Sequence, residues 1–184
     1  MEPKLSIRML STEEPLAGQL PEVIRFAYRS EFFFEVDART SAAGFGWNLI
    51  RRVANPPIVK EHKWMPFEDH VDSPRGYVAS FGNEPVGYVE FTYEEWSRLV
   101  RIWHLYVHEG HRGQGVGRVL IDTVKTAAKH FKARGIILET QSCNAPAIAF
   151  YQRLGFTFWG LNTGAYSNQD IKNHDVFLWL GLAL

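Results

Sequence analysis

The sequence predicts an α/β fold in a single domain, and three observations carry that prediction. "YVASFGNEPVGYVEFTYEEW" (77–96) reads as two strands around the turn residues Gly82-Asn83-Glu84-Pro85. "VRIWHLYV" (100–107) is a third strand, followed by a glycine loop and a helix of one-sided apolarity. "GIILET" (135–140) is a further strand, running into a short helix that starts at Asn144.

The other elements follow in chain order. "LSIRML" reads as the first strand. From Leu20 to about Glu35, and again from Ser41 to about Val53, apolar residues recur at helical spacing, with Gly44 and Gly46 weakening the second helix. Residues 54–76 carry four prolines and read as a surface loop, long enough to be mobile or functional. The strand 100–107 is mostly apolar, which predicts burial on both faces. In the helix that follows, Val119, Leu120, Val124, Ala127, Ala128 and Phe131 are assigned to the inner face, and Arg118, Asp122, Lys125, Lys129 and Lys132 to the outer. The second helix has Asn144 as N-cap, Pro146 in its first turn, where a missing N–H does no harm, and Gly155 as its left-handed stop.

Composition narrows the class of partner. With 184 residues, 46% of them hydrophobic, the chain can bury one substantial core. Lys plus Arg equals Asp plus Glu at 20 each, so nothing global argues for nucleic acid or a polybasic membrane footprint, and a charged ligand must be met by a local patch. The lone Cys143 excludes an internal disulfide, and the opening "MEPKLSIRML" lacks a basic flank before an apolar run, which together predict a reducing cytoplasm. "FLWLGLAL" is far too short to span a bilayer as a helix. The histidines have neither a His-Glu-x-x-His helix nor a cysteine partner, so no metal site is expected.

"HRGQGVG" (111–117) puts three glycines where a helix begins, although each costs roughly 1 kcal/mol against alanine inside a helix. Free N–H groups at a helix N-terminus, aided by the helix dipole, bind anions, and glycine lets the backbone approach phosphate oxygens without an intervening Cβ. A plain surface turn is the alternative. A Walker loop requires Gly-Lys-Ser/Thr, whereas Arg118 and Val119 follow Gly117. A dinucleotide loop would find two glycines in Gly113 and Gly115 and a ribose ligand in Glu139, but it needs a small residue at Arg118 and a turn directly after its strand, not five residues beyond Val107.

Arg112, Gly115 and Gly117 fill the Arg/Gln-x-x-Gly-x-Gly/Ala loop, and "NAPAIAFYQRLGF" (144–156) fills the Asn-x-x-Ala-x-x-x-Tyr-x-x-x-Gly-Phe segment, of the GNAT superfamily of acetyl-CoA-dependent N-acetyltransferases, which the chain resembles. The resemblance covers nearly all of residues 1–184, with the motifs within about 102–160. "GYVEF", "RIWHLYVHEGHRGQGVG" and "LETQSCNAPAIAFYQRLGFTFWG" are similar to streptothricin acetyltransferases in particular. The resemblance implies a mixed, mostly antiparallel sheet flanked by helices, with a splayed parallel strand pair holding acetyl-CoA. It implies backbone contacts to that co-substrate from Leu105, Tyr106 and Val107, phosphate contacts from Arg112, Gly113, Gln114, Gly115, Val116, Gly117 and Arg118, and a contact from Asn144 to the pantetheine arm. A monomer or homodimer acting on a small cationic amine, with no nucleic acid or membrane partner, is the corresponding expectation.

An amine attacks only when unprotonated, and a lysine-type amine has a pKa of about 10.4, so a group or a water chain must take its proton. Glu90 and His104 are the candidates, each with a structural alternative: a paired carboxylate for one, a core histidine for the other. Tyr151 is the candidate acid for the departing thiolate, or else a core aromatic. Glu94 and Glu95 are candidate contacts for a cationic acceptor. Cys143 reads as packing; acetylation of another small amine or of a protein N-terminus or lysine stays open as an alternative to a streptothricin-type acceptor, and a loop that binds acyl-CoA without catalysis as another class of function.

Overall fold

The computed structural model describes residues 4–10, 23–68 and 71–184. The chain divides into two compact units: residues 1–26, 62–138 and 183–184 form one, and residues 27–61 and 139–182 the other.

The first unit holds strands β1 (Leu5–Leu10), β4 (Arg75–Phe81), β5 (Glu84–Glu94) and β6 (Leu99–Val107), helix α1 (Val116–His130) and the start of β7 (Gly135–Gln141). The strands lie in the order β1-β4-β5-β6-β7. The first four are antiparallel neighbours, and β6 pairs in parallel with β7 from Leu99–Ile102 against Gly135–Leu138. β6 itself continues to Val107. A parallel pair needs a crossover, and α1 supplies it. The helix seats Leu120, Ile121, Val124 and Ala128, all fully buried, on β5 and β6, at about 1.5–3 kcal/mol for each large apolar side chain. Its inner stripe differs slightly from the sequence assignment: Ile121 is inside and Val119 is 37% exposed. A second cluster of Leu10, Ile24, Trp64, Val78 and Tyr88, flanked by Phe26, Phe67 and Tyr106, forms the other part of this unit's core.

The second unit holds most of a long two-stranded ribbon, β2 (Ile24–Ser41) with β3 (Gly44–Trp64), then α2 (Ala145–Arg153), β8 (Thr157–Asn162) and β9 (Phe177–Ala183). β8 and β9 pair antiparallel. The ribbon is tied within the unit by the Phe34 N–H donating to the Ser142 carbonyl at 2.8 Å, by Lys60 Nζ on Asp175 at 2.8 Å, and by Phe33 stacked on His174. Its turn end is exposed, with Phe45 at 83%.

The ribbon corrects two expectations. The helix expected over 20–35 is strand from Ile24 onward, its residues 20–22 lying outside the described residues; the helix expected over 41–53 is strand apart from the turn at Ala42–Ala43; and the loop expected over 54–76 is strand as far as Trp64. The reason is a competing period: Ile24, Phe26, Tyr28, Ser30, Phe32, Phe34 and Val36 alternate along β2, so period two overrides the helical spacing in the same window. Pro56 and Pro57 are tolerated because a two-stranded sheet consists only of edges. A third correction concerns β6, which is buried mainly in its first half, with Trp103 at 37% exposed, while β5 is the strand buried without a break from Val86 to Thr92. No described helix is long and apolar enough to cross a membrane.

Candidate active site

Between β6 and α1 the chain makes one 3₁₀ turn at Glu109–His111, which accounts for the spacing between Val107 and the glycines. The turn is closed by the His111 N–H on the His108 carbonyl at 2.9 Å and the Arg112 N–H on the Glu109 carbonyl at 3.2 Å. Gly113 (φ 78°) and Gly115 (φ 87°) then take left-handed backbone, and a Cβ added at either would find no atom beyond the adjoining residues within 4 Å. Gly115 is the N-cap of α1. No side chain caps the helix and no acidic residue stands in its first turn, so the amides of Val116, Gly117 and Arg118 face an anion without competition. Arg112, Gln114 and Arg118 are exposed around them, with Arg112 Nε also donating to the Val107 carbonyl at 3.2 Å and Gln114 Nε2 to the Gly110 carbonyl at 3.0 Å. The loop therefore suits a phosphate-bearing ligand on charge, on shape and on unused donors.

Glu90 lies on β5 and is 0% exposed. Its Oε2 accepts from the Tyr88 hydroxyl at 2.7 Å and from the Phe67 backbone N–H at 3.0 Å. His104 is its direct partner on β6, and Tyr106 is the partner of Tyr88. That alignment depends on a bulge: Phe91 pairs with Ile102 and Glu90 with His104, so Trp103 is an extra residue. Without it, His104 would share a face with Val100 and Ile102; with it, His104 and Tyr106 join the face of Glu90 and Tyr88. Trp64, at the end of β3, stacks on His104 (centroids 4.1 Å apart, 9° between planes) and on Tyr88 (5.5 Å). Burial, and next the charge of Glu90, push the Tyr88 hydroxyl pKa well up, so it stays a donor. The sequence reading singled out Glu90 and His104 as candidates, took Trp64 and Phe67 for core or lid, and did not consider Tyr88. Tyr88 carried a signal that could have found it, being two residues from Glu90 and so on the same face of one strand.

Leu105, Tyr106 and Val107 are half-buried along the last part of β6, next to the glycine loop. Glu94 and Glu95 lie at the other end of that strand, where Glu94 pairs with Leu99. Glu94 there accepts from Arg101 Nε at 2.5 Å and from the Ser97 hydroxyl at 2.9 Å, so its charge is already matched. The structure does not bring these two carboxylates to the loop.

The second motif falls in the other unit. Asn144 Oδ1 accepts from the Ala147 N–H at 3.2 Å, which makes it the N-cap of α2. Tyr151 is 8% exposed, edge-on to Phe150 and Phe156, and burial pushes its hydroxyl pKa up, so it carries a proton throughout the neutral range. Cys143 is buried between the Tyr28 hydroxyl (3.3 Å) and Asp175 Oδ1 (3.4 Å), and burial raises its thiol pKa above the ordinary value, which leaves a poor nucleophile. Among the described residues, no His, Cys, Asp and Glu groups are placed to hold a metal ion.

Comparison with known proteins adds to this geometry. A model of the acetyltransferase (GNAT) family matches residues 43–156. A streptothricin acetyltransferase of Escherichia coli is 34% identical over 167 residues, 90% of each chain, and one of Streptomyces lavendulae is 32% identical over 148 residues, 76% of each. The crystal structure of nourseothricin acetyltransferase matches with a TM-score of 0.77 at 27% identity, covering 97% of this chain and 98% of that one. The fold is shared as well with a Bacillus anthracis protein crystallised in complex with acetyl coenzyme A, at a TM-score of 0.77 and 22% identity over 100% of this chain and 99% of that one.

Proposed function

The chain belongs to the acetyltransferase (GNAT) family, and from that premise we propose that it moves the acetyl group of acetyl-CoA directly to a primary amine of a streptothricin-type antibiotic, inactivating it. The observation that carries the donor half is the loop Arg112–Gly117, whose uncapped amides and left-handed glycines fit a pyrophosphate. The acceptor half rests on the E. coli relative, alike over 90% of both chains.

In this reading the pyrophosphate lies over the amides of Gln114 to Gly117, with Arg112 and Arg118 beside it. The backbone of Leu105, Tyr106 and Val107 aligns the acetyl group, and one of its N–H groups polarises the carbonyl. The amine nitrogen bonds to the carbonyl carbon, the carbon–sulfur bond breaks, and the sulfur leaves with a proton from Tyr151. Glu90 receives the amine proton. Because Glu90 is fully buried, His104 directly opposite it is the natural path for that proton. Asn144 keeps its capping role and adds a contact to the pantetheine arm. Glu94 and Glu95 enter only as long-range attraction for a polycation, and Glu94 little of that while Arg101 pairs with it. We take residues 1–184 as one functional domain, working in the cytoplasm as a monomer or homodimer without nucleic acid or membrane.

Expression in a streptothricin-sensitive bacterium tests the whole reading. Survival on the antibiotic is expected from the native chain and not from Tyr151→Phe. Equal sensitivity with and without an expressed, folded native chain would overturn the acceptor assignment.

A further inference from the structure

A carboxylate that takes a proton from an amine must itself be kept charged and aimed, and burial works against the charge. Glu90 sits at 0% exposure inside an apolar cluster, yet one oxygen, Oε2, receives two donors. The Tyr88 hydroxyl comes from two residues away on the same strand. The Phe67 N–H comes from the segment after β3, where Phe67 takes left-handed backbone (φ 58°), a conformation uncommon and costly for a bulky residue and one that clusters at functional sites. Gly76, the direct partner of Glu90 on β4, completes the arrangement: a Cβ there would lie 2.9 Å from Phe67 Cζ and 3.0 Å from Tyr88 Cε2. Only glycine lets those two rings close together beside the carboxylate.

We propose that Tyr88 is a positioning residue of acetyl transfer: with the Phe67 N–H it holds the Glu90 carboxylate charged and oriented, in a space that Gly76 keeps open. The proposal rests on the reading of Glu90 as proton acceptor. Trp64 locks the arrangement from the other side by stacking on Tyr88 and His104 together, so the hydroxyl and the imidazole keep fixed places relative to Glu90. Other titratable or charged groups around this face are His104 and Tyr106 on β6, His62 on β3 stacked against Phe26, Glu68 beside Phe67, and Arg8 on β1 paired with Val78. None of them is altered by the substitutions below, so they form a constant background.

The test is the pH dependence of kcat with acetyl-CoA and streptothricin for the native chain, Tyr88→Phe, Glu90→Gln and the double variant. Tyr88→Phe keeps the ring and its packing and removes one donor to the carboxylate, so the rising limb moves up by about 1 pH unit, from a hydrogen bond to a charged group. Glu90→Gln moves that limb further, toward the amine's own pKa of about 10, and the double variant behaves as Glu90→Gln alone. Gly76→Ala, which forces Phe67 and Tyr88 apart, shifts the limb in the same direction as Tyr88→Phe. A Tyr88→Phe variant that loses turnover equally at every pH, or not at all, overturns the positioning role while leaving Glu90 as proton acceptor. A Glu90→Gln variant whose limb stays in place overturns the base assignment itself, and the role of Tyr88 with it.

Discussion

Replacing Gly115 first by alanine and then by valine separates what the glycine does for the fold from what it does for the ligand. Its backbone stands at φ 87°, ψ −8°, where an L-residue costs roughly 1–2 kcal/mol. For a chain of 184 residues that is a fall in Tm of roughly 2–8 °C, with the protein still folded. No atom beyond the adjoining residues lies within 4 Å of the added Cβ, so the free protein feels backbone strain and no clash. The bound state differs, because the γ-methyl groups of valine enter the space in front of the first-turn amides. Losing one charge-assisted contact to phosphate costs about 1.5–3 kcal/mol, which is roughly a 10- to 150-fold rise in Kd for acetyl-CoA. Calorimetric titration of both variants reads this directly, and Gly44→Ala, at an open positive-φ glycine that starts β3, serves as a control that loses stability without losing affinity. A folded Gly115→Val chain that binds acetyl-CoA as tightly as the native one would refute the placement of the pyrophosphate.

Tyr151→Phe is expected to lower kcat by about 100-fold, the lower range for a positioned acid, while Kd for acetyl-CoA stays within about twofold; an unchanged kcat returns Tyr151 to packing alone. Asp175 beside Lys60 holds the ammonium above its ordinary pKa, the hydrogen bond to the carboxylate outweighing partial desolvation. With the folded value raised, the stabilisation is complete below the unfolded value of about 10.4 and is lost as pH rises through the folded one. Tm followed from pH 8 to 11.5 should therefore fall less steeply in Lys60→Met than in the native chain, and parallel curves would show that the pair adds nothing.

Local signals made the glycine loop and the two helices readable. A run of glycines before one-sided apolarity, an Asn-x-Pro start and a Gly-Phe stop each act within a few residues, and each fixes its own backbone. The ribbon was not readable in the same way, because residues 24–36 satisfy helical spacing and strict alternation at once, and pairing with β3 across the turn decides between them. The surroundings of Glu90 were hidden for another reason. Phe67 reaches it from 23 residues away, through a backbone angle that the residue type does not announce. His104 reaches it only because the bulge at Trp103 reverses the parity of β6, and simple alternation would have placed it with Val100 and Ile102. The carboxylates Glu94 and Glu95 look close to Glu90 in sequence, yet a strand that continues straight carries them to the far end of β6.

Acetyl transfer to the antibiotic's amine is tested most directly by the initial rate of thiol release from acetyl-CoA with purified protein, measured with and without streptothricin and with a peptide N-terminus or free lysine in its place. The predicted result is release that requires streptothricin and saturates with it, a kcat/KM at least about tenfold above that for the other amines, and a product heavier by one acetyl group with one amine fewer. Release that ignores streptothricin while proceeding with the peptide or lysine would contradict the account.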